Sequence, residues 1–175
     1  MIKQQLEKYL FRKDTHTYAV LDGASVPDLP GKLYKLNPTN ICLYRGELSA
    51  DLVYVAPYLV HLFPGTPFTE WLLSECWGKH WGIFAQSPLS IVGIRRHFRW
   101  LLTVDDENGK PMLFRYYDPR VLPPFLMTCN SNELEIVFGN VRYYLTESAD
   151  ATELVRFQFA HDKLNEAKLK LEFDL

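Results

Sequence analysis

The run Met112-Leu-Phe-Arg-Tyr-Tyr-Asp-Pro-Arg120 constrains the fold most, because it carries an arginine into an aromatic segment and then stops the segment with Asp-Pro. Strand side chains alternate, so a strand here puts Met112, Phe114 and Tyr116 on one face and Leu113, Arg115 and Tyr117 on the other. Arg115 then stands where a hydrophobic residue is expected. Burying a guanidinium is costly unless a carboxylate or several carbonyls receive it. The segment therefore implies a partner elsewhere in the chain and a binding or organising site. Asp118 has the chemistry of a helix cap and Pro119 suits a first helical position, which predicts that the strand ends there and the chain turns.

A chain of 175 residues with 47% hydrophobic and 14% aromatic side chains can bury a core and is too apolar to be disordered. Part of the aromatic surplus fits a protein interface, where such residues are enriched. The net charge of −2 gives no general attraction to nucleic acid or to an anionic membrane. Cys42, Cys76 and Cys129 are widely spaced and form no pairing motif, which points to a reducing compartment. The segment Met1 to Tyr9 lacks the apolar centre of a signal peptide, and no run is long enough to span a bilayer. The expectation is a soluble, cytoplasmic protein.

Residues 1 to about 16 read as a short helix or an extended lead-in, followed by a buried strand at Tyr18–Leu21 closed by Asp22-Gly23. Leu29 to Leu36 leaves room for a short helix or a loop, and Ile41–Tyr44 reads as a second strand. Val53 to Phe63 reads as a strand interrupted at Pro57, which cannot donate to a ladder. Helices are predicted from Pro67 to Gly78 and from Ser87-Pro88 to Leu102, separated by a strand at Trp81–Ala85. On the second helix Ile91, Ile94, Phe98, Leu101 and Leu102 form an apolar stripe, with Arg96 and Trp100 opposite. Asn108-Gly109 is a hairpin signal. Leu134–Phe138 reads as a helical turn, and Val141–Leu145 and Leu154–Phe159 as strands. The stretch from His161 to Ala167 can be helical, whereas Leu169, Leu171, Phe173 and Leu175 alternate with charges as in a half-buried strand. Alternating strands and helices predict a layered α/β domain with a mixed, partly parallel sheet flanked by helices, plus a short C-terminal lobe.

No catalytic constellation emerges from the residue types. Cys76 and His80 are two possible ligands, short of a tetrahedral metal set. There is no Gly-x-Ser-x-Gly elbow, no motif joining Ser87, His97 and Asp118, and no glycine loop to cradle phosphate, so neither cofactor nor metal is expected. Arg95, Arg96, Arg99 and Trp100 form a basic aromatic cluster, but Asp105, Asp106 and Glu107 beside it favour a solvated face or a protein contact over nucleic acid.

Six motifs occur in a characteristic order: Tyr18-Ala-Val-Leu-Asp-Gly-Ala24, Val55-Ala-Pro-Tyr-Leu-Val60, Trp81-Gly-Ile-Phe84, Ser90 to Leu102 with His97 and Arg99, Phe114-Arg-Tyr-Tyr-Asp-Pro-Arg-Val-Leu122, and Phe138-Gly139. In these the chain resembles the type VI secretion effector adaptors, or chaperones, of domain-of-unknown-function family 4123. The resemblance covers about Tyr18 to Leu145, with Arg-Tyr-Tyr-Asp-Pro-Arg and Ala-Pro-Tyr-Leu-Val its most specific parts.

The resemblance implies a bacterial, cytoplasmic, non-catalytic protein that binds a cognate type VI toxin effector and helps load it onto a VgrG-type spike protein. It also implies a motif-rich domain over residues 1–145 and a short C-terminal extension over 146–175. Asp22, Pro57, Tyr58, Trp81, Arg115, Tyr117, Asp118, Pro119 and Arg120 become structural motif residues. Arg115 is expected to pair with Asp22 or Asp118 and so to fix the junction of two strand ends. Arg96, Trp100, Leu169, Leu171 and Phe173 are the expected partner contacts, the alternating tail adding a strand to the partner. The rival reading is a small ligand-binding domain or a hydrolase using a pocket near Asp118.

Overall fold

The structure, a computed structural model, describes residues 2–173. Helix α1 (Ile2–Leu10) leads into β1 (His16–Asp22), followed by α2 (Leu29–Leu36), β2 (Asn40–Cys42), α3 (Ala50–Val55), β3 (Pro57–Leu62), α4 (Pro67–Glu75) and β4 (Gly82–Ser87). Helix α5 (Ile91–Leu101) precedes a hairpin of β5 (Thr103–Asp105) and β6 (Pro111–Leu113), then α6 (Leu122–Thr128) and α7 (Ser131–Phe138). Strands β7 (Tyr143–Glu147), β8 (Glu153–Ala160) and β9 (Lys163–Lys170) complete the chain. Seven strands form one sheet in the order β2-β3-β1-β4-β7-β8-β9, and β5 and β6 form a second, two-stranded sheet.

Every neighbouring pair in both sheets is antiparallel, which corrects the expectation of a partly parallel sheet. The alternation of strand and helix did mark a crossover, β3–α4–β4, whose two strands run the same way. Those strands are not neighbours, because β1 lies between them and is antiparallel to both. The unbroken apolar runs also have a different cause. Helices cover both faces of the sheet, so even antiparallel strands lose the usual polar face. In β1, Tyr18 and Val20 join a core with α5, α6 and α7, while Ala19 and Leu21 join a core with α2 and α4. A third cluster packs Leu6 and Leu10 of α1 against Leu145, Leu154 and Leu171.

Several local elements differ from the sequence reading for identifiable reasons. Residues 50–55 are helical rather than extended, with Ser49 accepting from the Leu52 N–H as N-cap, and Pro57 opens β3 instead of breaking it. Helix α5 is capped by Ser90, whose Oγ accepts from the Gly93 N–H. Ser87 instead belongs to β4 and donates to the Asn140 carbonyl. The stretch after β8 is not helical: His161 and Asp162 take φ of 53° and 59° and form the two-residue turn of the β8–β9 hairpin. That geometry normally selects Asn-Gly or Asp-Gly, so a His-Asp turn carries little sequence signal.

The defining run Met112–Arg120 is a strand only as far as Leu113. The Phe114 N–H still bonds the Leu102 carbonyl, after which the Asp118 N–H bonds the Arg115 carbonyl and the chain turns. Asp118 is not a helix cap, because α6 starts at Leu122 behind Val121; its main-chain carbonyl accepts from the N–H groups of Val121 and Leu122. Phe114, Tyr116 and Tyr117 are all buried, so both aromatic directions of the turn face the core.

Candidate functional site

The Asp118 turn stands over the end of β1, and its charged groups form one closed network. Asp22, only 2% exposed, receives the Arg115 guanidinium at 2.6 Å, the Ser25 hydroxyl at 2.7 Å and the Ala24 N–H at 3.0 Å. The same Arg115 nitrogen lies 3.8 Å from Asp118. Arg120 grips Asp118 side-on, with Nε at 2.9 Å, Nη2 at 2.8 Å and its own N–H at 2.9 Å. Burial pushes the Asp118 carboxyl up, but the bonds from the Arg120 side chain and backbone, with the charges of Arg120 and Arg115, outweigh it and leave the pKa below the usual range. A carboxylate held ionised by this many donors is a poor general acid or base at neutral pH.

The other motif residues are structural neighbours of this junction. Pro57 pairs with Asp22 across β3 and β1. Tyr58 is buried and donates to the Val53 carbonyl at 3.0 Å, tying α3 to β3. Tyr117 packs edge-on against Tyr116 and, chiefly through burial, its phenol is pushed up to about 12. Trp81 packs beside Trp71, with the Lys79 ammonium 4.5 Å above its ring. Glu147, absent from the sequence reading, accepts from the N–H groups of Gly78 and His80 and so fastens the α4–β4 loop to the end of β7. A lone glutamate at a strand end gives no sequence cue to that role.

Among the described residues no group of three or more His, Cys, Asp or Glu could hold a metal ion. The thiol of Cys76 is buried and, mainly for that reason, pushed up to about 12, while His80 Nδ1 lies 2.6 Å from Glu147. Ser87 spends its hydroxyl on Asn140 and Leu89. His97 lies between α5 and α7, bonded to the Val137 carbonyl at 3.0 Å and the Tyr144 hydroxyl at 3.2 Å. Ser87 and His97 are therefore committed to local packing contacts, away from the Asp118 network.

The expected partner residues divide into two groups that share no groove. Arg96 and Trp100 are exposed on α5, Trp100 at 56%. The tail is less free. Leu171 is buried with Leu6 and Leu10, its N–H bonds the Thr152 carbonyl, and Glu172 exchanges two hydrogen bonds with Gln5. Leu169 is partly buried on the same cluster, Phe173 is exposed, and Leu175 lies outside the described residues. Leu171→Ala is expected to cost about 2–3 kcal/mol of stability, whereas Phe173→Ala is expected to stay within about 0.5 kcal/mol. Urea unfolding of both variants checks the contrast.

Trp100 stands between two depressions. One, of about 1060 Å³, is open and is lined by Leu52, Arg45, Arg99, Leu102, Val104 and Leu113 among others. The second, of about 300 Å³, runs past Phe125 and Ile136 along α7. Leu52, Trp100, Leu113 and Ile136 are all between 45% and 56% exposed, so the rims are apolar as well as the floors. Arg99 belongs to the basic cluster already visible in the sequence, whereas Arg45 and Leu52 were not singled out there. Those two come from other segments, and only tertiary structure gathers them around Trp100.

No helix among the described residues is long and apolar enough to cross a membrane. Searches of curated proteins and of solved structures give no significant match. A model of the family described as domain of unknown function (DUF4123) matches residues 17–135. That span holds β1 through most of α7, including Asp22, Pro57, Tyr58, Trp81 and the whole Arg115–Arg120 turn. With about two thirds of its length matched and these motifs in place, the chain belongs to the DUF4123 family, which is associated with type VI secretion effector adaptors.

Proposed function

We propose that this protein is a non-catalytic adaptor that holds a cognate type VI toxin effector in the bacterial cytoplasm and helps deliver it to a VgrG-type spike protein. The observation that carries this reading is the division of labour among its polar residues. Asp22, Arg115, Asp118 and Arg120 bond one another and fix architecture, whereas the exposed side chains of Arg45, Arg96 and Trp100 make no hydrogen bond or ion pair among the described residues. Exposed apolar surface of this kind marks interaction sites. The hydrolase reading would place chemistry at Asp118, whose oxygens are already occupied by Arg120 and approached by Arg115.

Affinity capture of the tagged chain from its native host is expected to retain one toxin effector, and deletion of its gene is expected to stop secretion of that effector while the type VI apparatus still fires. Unchanged effector secretion in the deletion strain would refute the adaptor role. Hydrolytic turnover by the purified chain that disappears in Asp118→Asn, with folding intact, would favour the enzyme instead.

A further inference from the structure

The groove beside Trp100 has a charge pattern as well as an apolar lining. None of Arg45, Arg95, Arg96 and Arg99 forms an ion pair among the described residues. Arg99 donates from Nη2 to the Cys42 carbonyl at 2.9 Å, but its Nε is buried without a hydrogen-bond partner. Its pKa is lowered, first by burial and then by the neighbouring charges of Arg95 and Arg45. Arg45 and Arg99 line the hollow against a single carboxylate, which leaves its lining net positive. Asp105 is the one carboxylate lining the groove.

The volume admits two turns of helix. Two turns of α-helix, with a diameter of about 10 Å and a rise of about 5.4 Å per turn, occupy roughly 850 Å³, within the 1060 Å³ of the groove. Leu52 on α3 and Leu113 on β6 stand on the rim with Trp100 on α5, while Leu102 and Val104 lie lower. An amphipathic helix presents apolar anchors at i, i+3, i+4 and i+7 to such a groove.

We propose that this groove receives a short amphipathic helix of the effector, with apolar side chains against Leu52, Trp100 and Leu113 and carboxylates facing Arg45 and Arg99. The inference rests on the adaptor reading for the identity of the occupant, but its chemistry follows from the groove itself. Nucleic acid is the less suitable occupant, because an apolar rim gives phosphates nothing to bind.

The probe is a fluorescein-labelled synthetic helix of about five turns with a leucine stripe flanked by glutamates, paired with the same helix flanked by lysines. By anisotropy, the glutamate helix is expected to bind the full chain about tenfold more tightly than the lysine helix. Arg45→Glu leaves Arg99 against two carboxylates in the groove and is expected to reverse that order, since charge complementarity sets specificity. Trp100→Ala is expected to weaken the glutamate helix by about tenfold or more, with a melting temperature lowered by only about 2–4 °C because the indole is half exposed. Equal binding of the two helices, or none, overturns the proposal. Tighter binding of a single-stranded oligonucleotide, lost in the same variants, overturns it in favour of nucleic acid. Effector capture by Trp100→Ala at the wild-type level would remove the groove and leave the adaptor role standing. Failure of the wild-type chain to capture any effector removes the adaptor role without touching the helix preference.

Discussion

Gly82→Ala is expected to lower the melting temperature by roughly 6–12 °C or to leave the chain insoluble. An ideal Cβ at Gly82 would sit 2.3 Å from the Val20 carbonyl oxygen and within 3.1 Å of the Leu21 backbone. Gly82 pairs with Leu21 at the start of β4, where β1 is already held by β3 on its other side. The clash is therefore with main chain in the middle of the sheet, and no side-chain rotation relieves it. Overpacking of this kind costs about 3 kcal/mol or more, and each kcal/mol moves Tm by about 2–4 °C at this chain length. Gly23 meets the same limit, with the Ala56 carbonyl 2.3 Å from its Cβ position. A thermal melt of Gly82→Ala within 2 °C of wild type would show that the strands can separate enough to admit a methyl group. The glycines of the Asp22-Gly23 and Trp81-Gly82 motifs are thus explained by close approach of backbones, with no demand for positive φ at either site.

What could be read from the sequence depended on whether the signal was local. The stripe Ile91, Ile94, Phe98, Leu101 and Leu102 is buried as its periodicity requires, and Asn108-Gly109 does close the β5–β6 hairpin. Strand direction was not local. The chain order of β3, α4 and β4 is compatible with a parallel pair, and only the insertion of β1 between the two strands makes every neighbour antiparallel. The tail shows the same limit. Alternation in Leu169, Leu171 and Phe173 identifies a strand-like stretch, but Leu171 packs on α1, whose residues lie more than 160 positions earlier. Trp100 was visible as an odd exposed aromatic, whereas Arg45 and Leu52 acquire meaning only when their segments converge on it.

Arg115→Ala is expected to cost about 2 kcal/mol and to lower Tm by roughly 4–8 °C. The loss comes mainly from Asp22. That carboxylate is 2% exposed and would keep only Ala24 and Ser25 as donors, so an ionised group would remain desolvated with its counter-charge gone. The Arg115 side chain is itself 46% exposed, which holds the cost below that of breaking a fully buried pair. Arg120→Ala is expected to cost less, about 1 kcal/mol, because its side chain is 60% exposed and Asp118 retains Arg115 at 3.8 Å. Acid should erode the same junction. The folded-state pKa of Asp118 is below its ordinary value of 3.8, so its contribution is complete above that pH and is lost as pH falls through the folded value. The decisive measurement is a double-mutant cycle of Arg115→Ala with Asp22→Asn. A coupling of about 1 kcal/mol or more is expected for groups in direct contact, since removing the anion removes most of the need for the cation. A coupling near zero would mean that β1 and the Asp118 turn are held together by Tyr116 and Tyr117 in the core, with the ion pair only decorating a junction that packing had already formed.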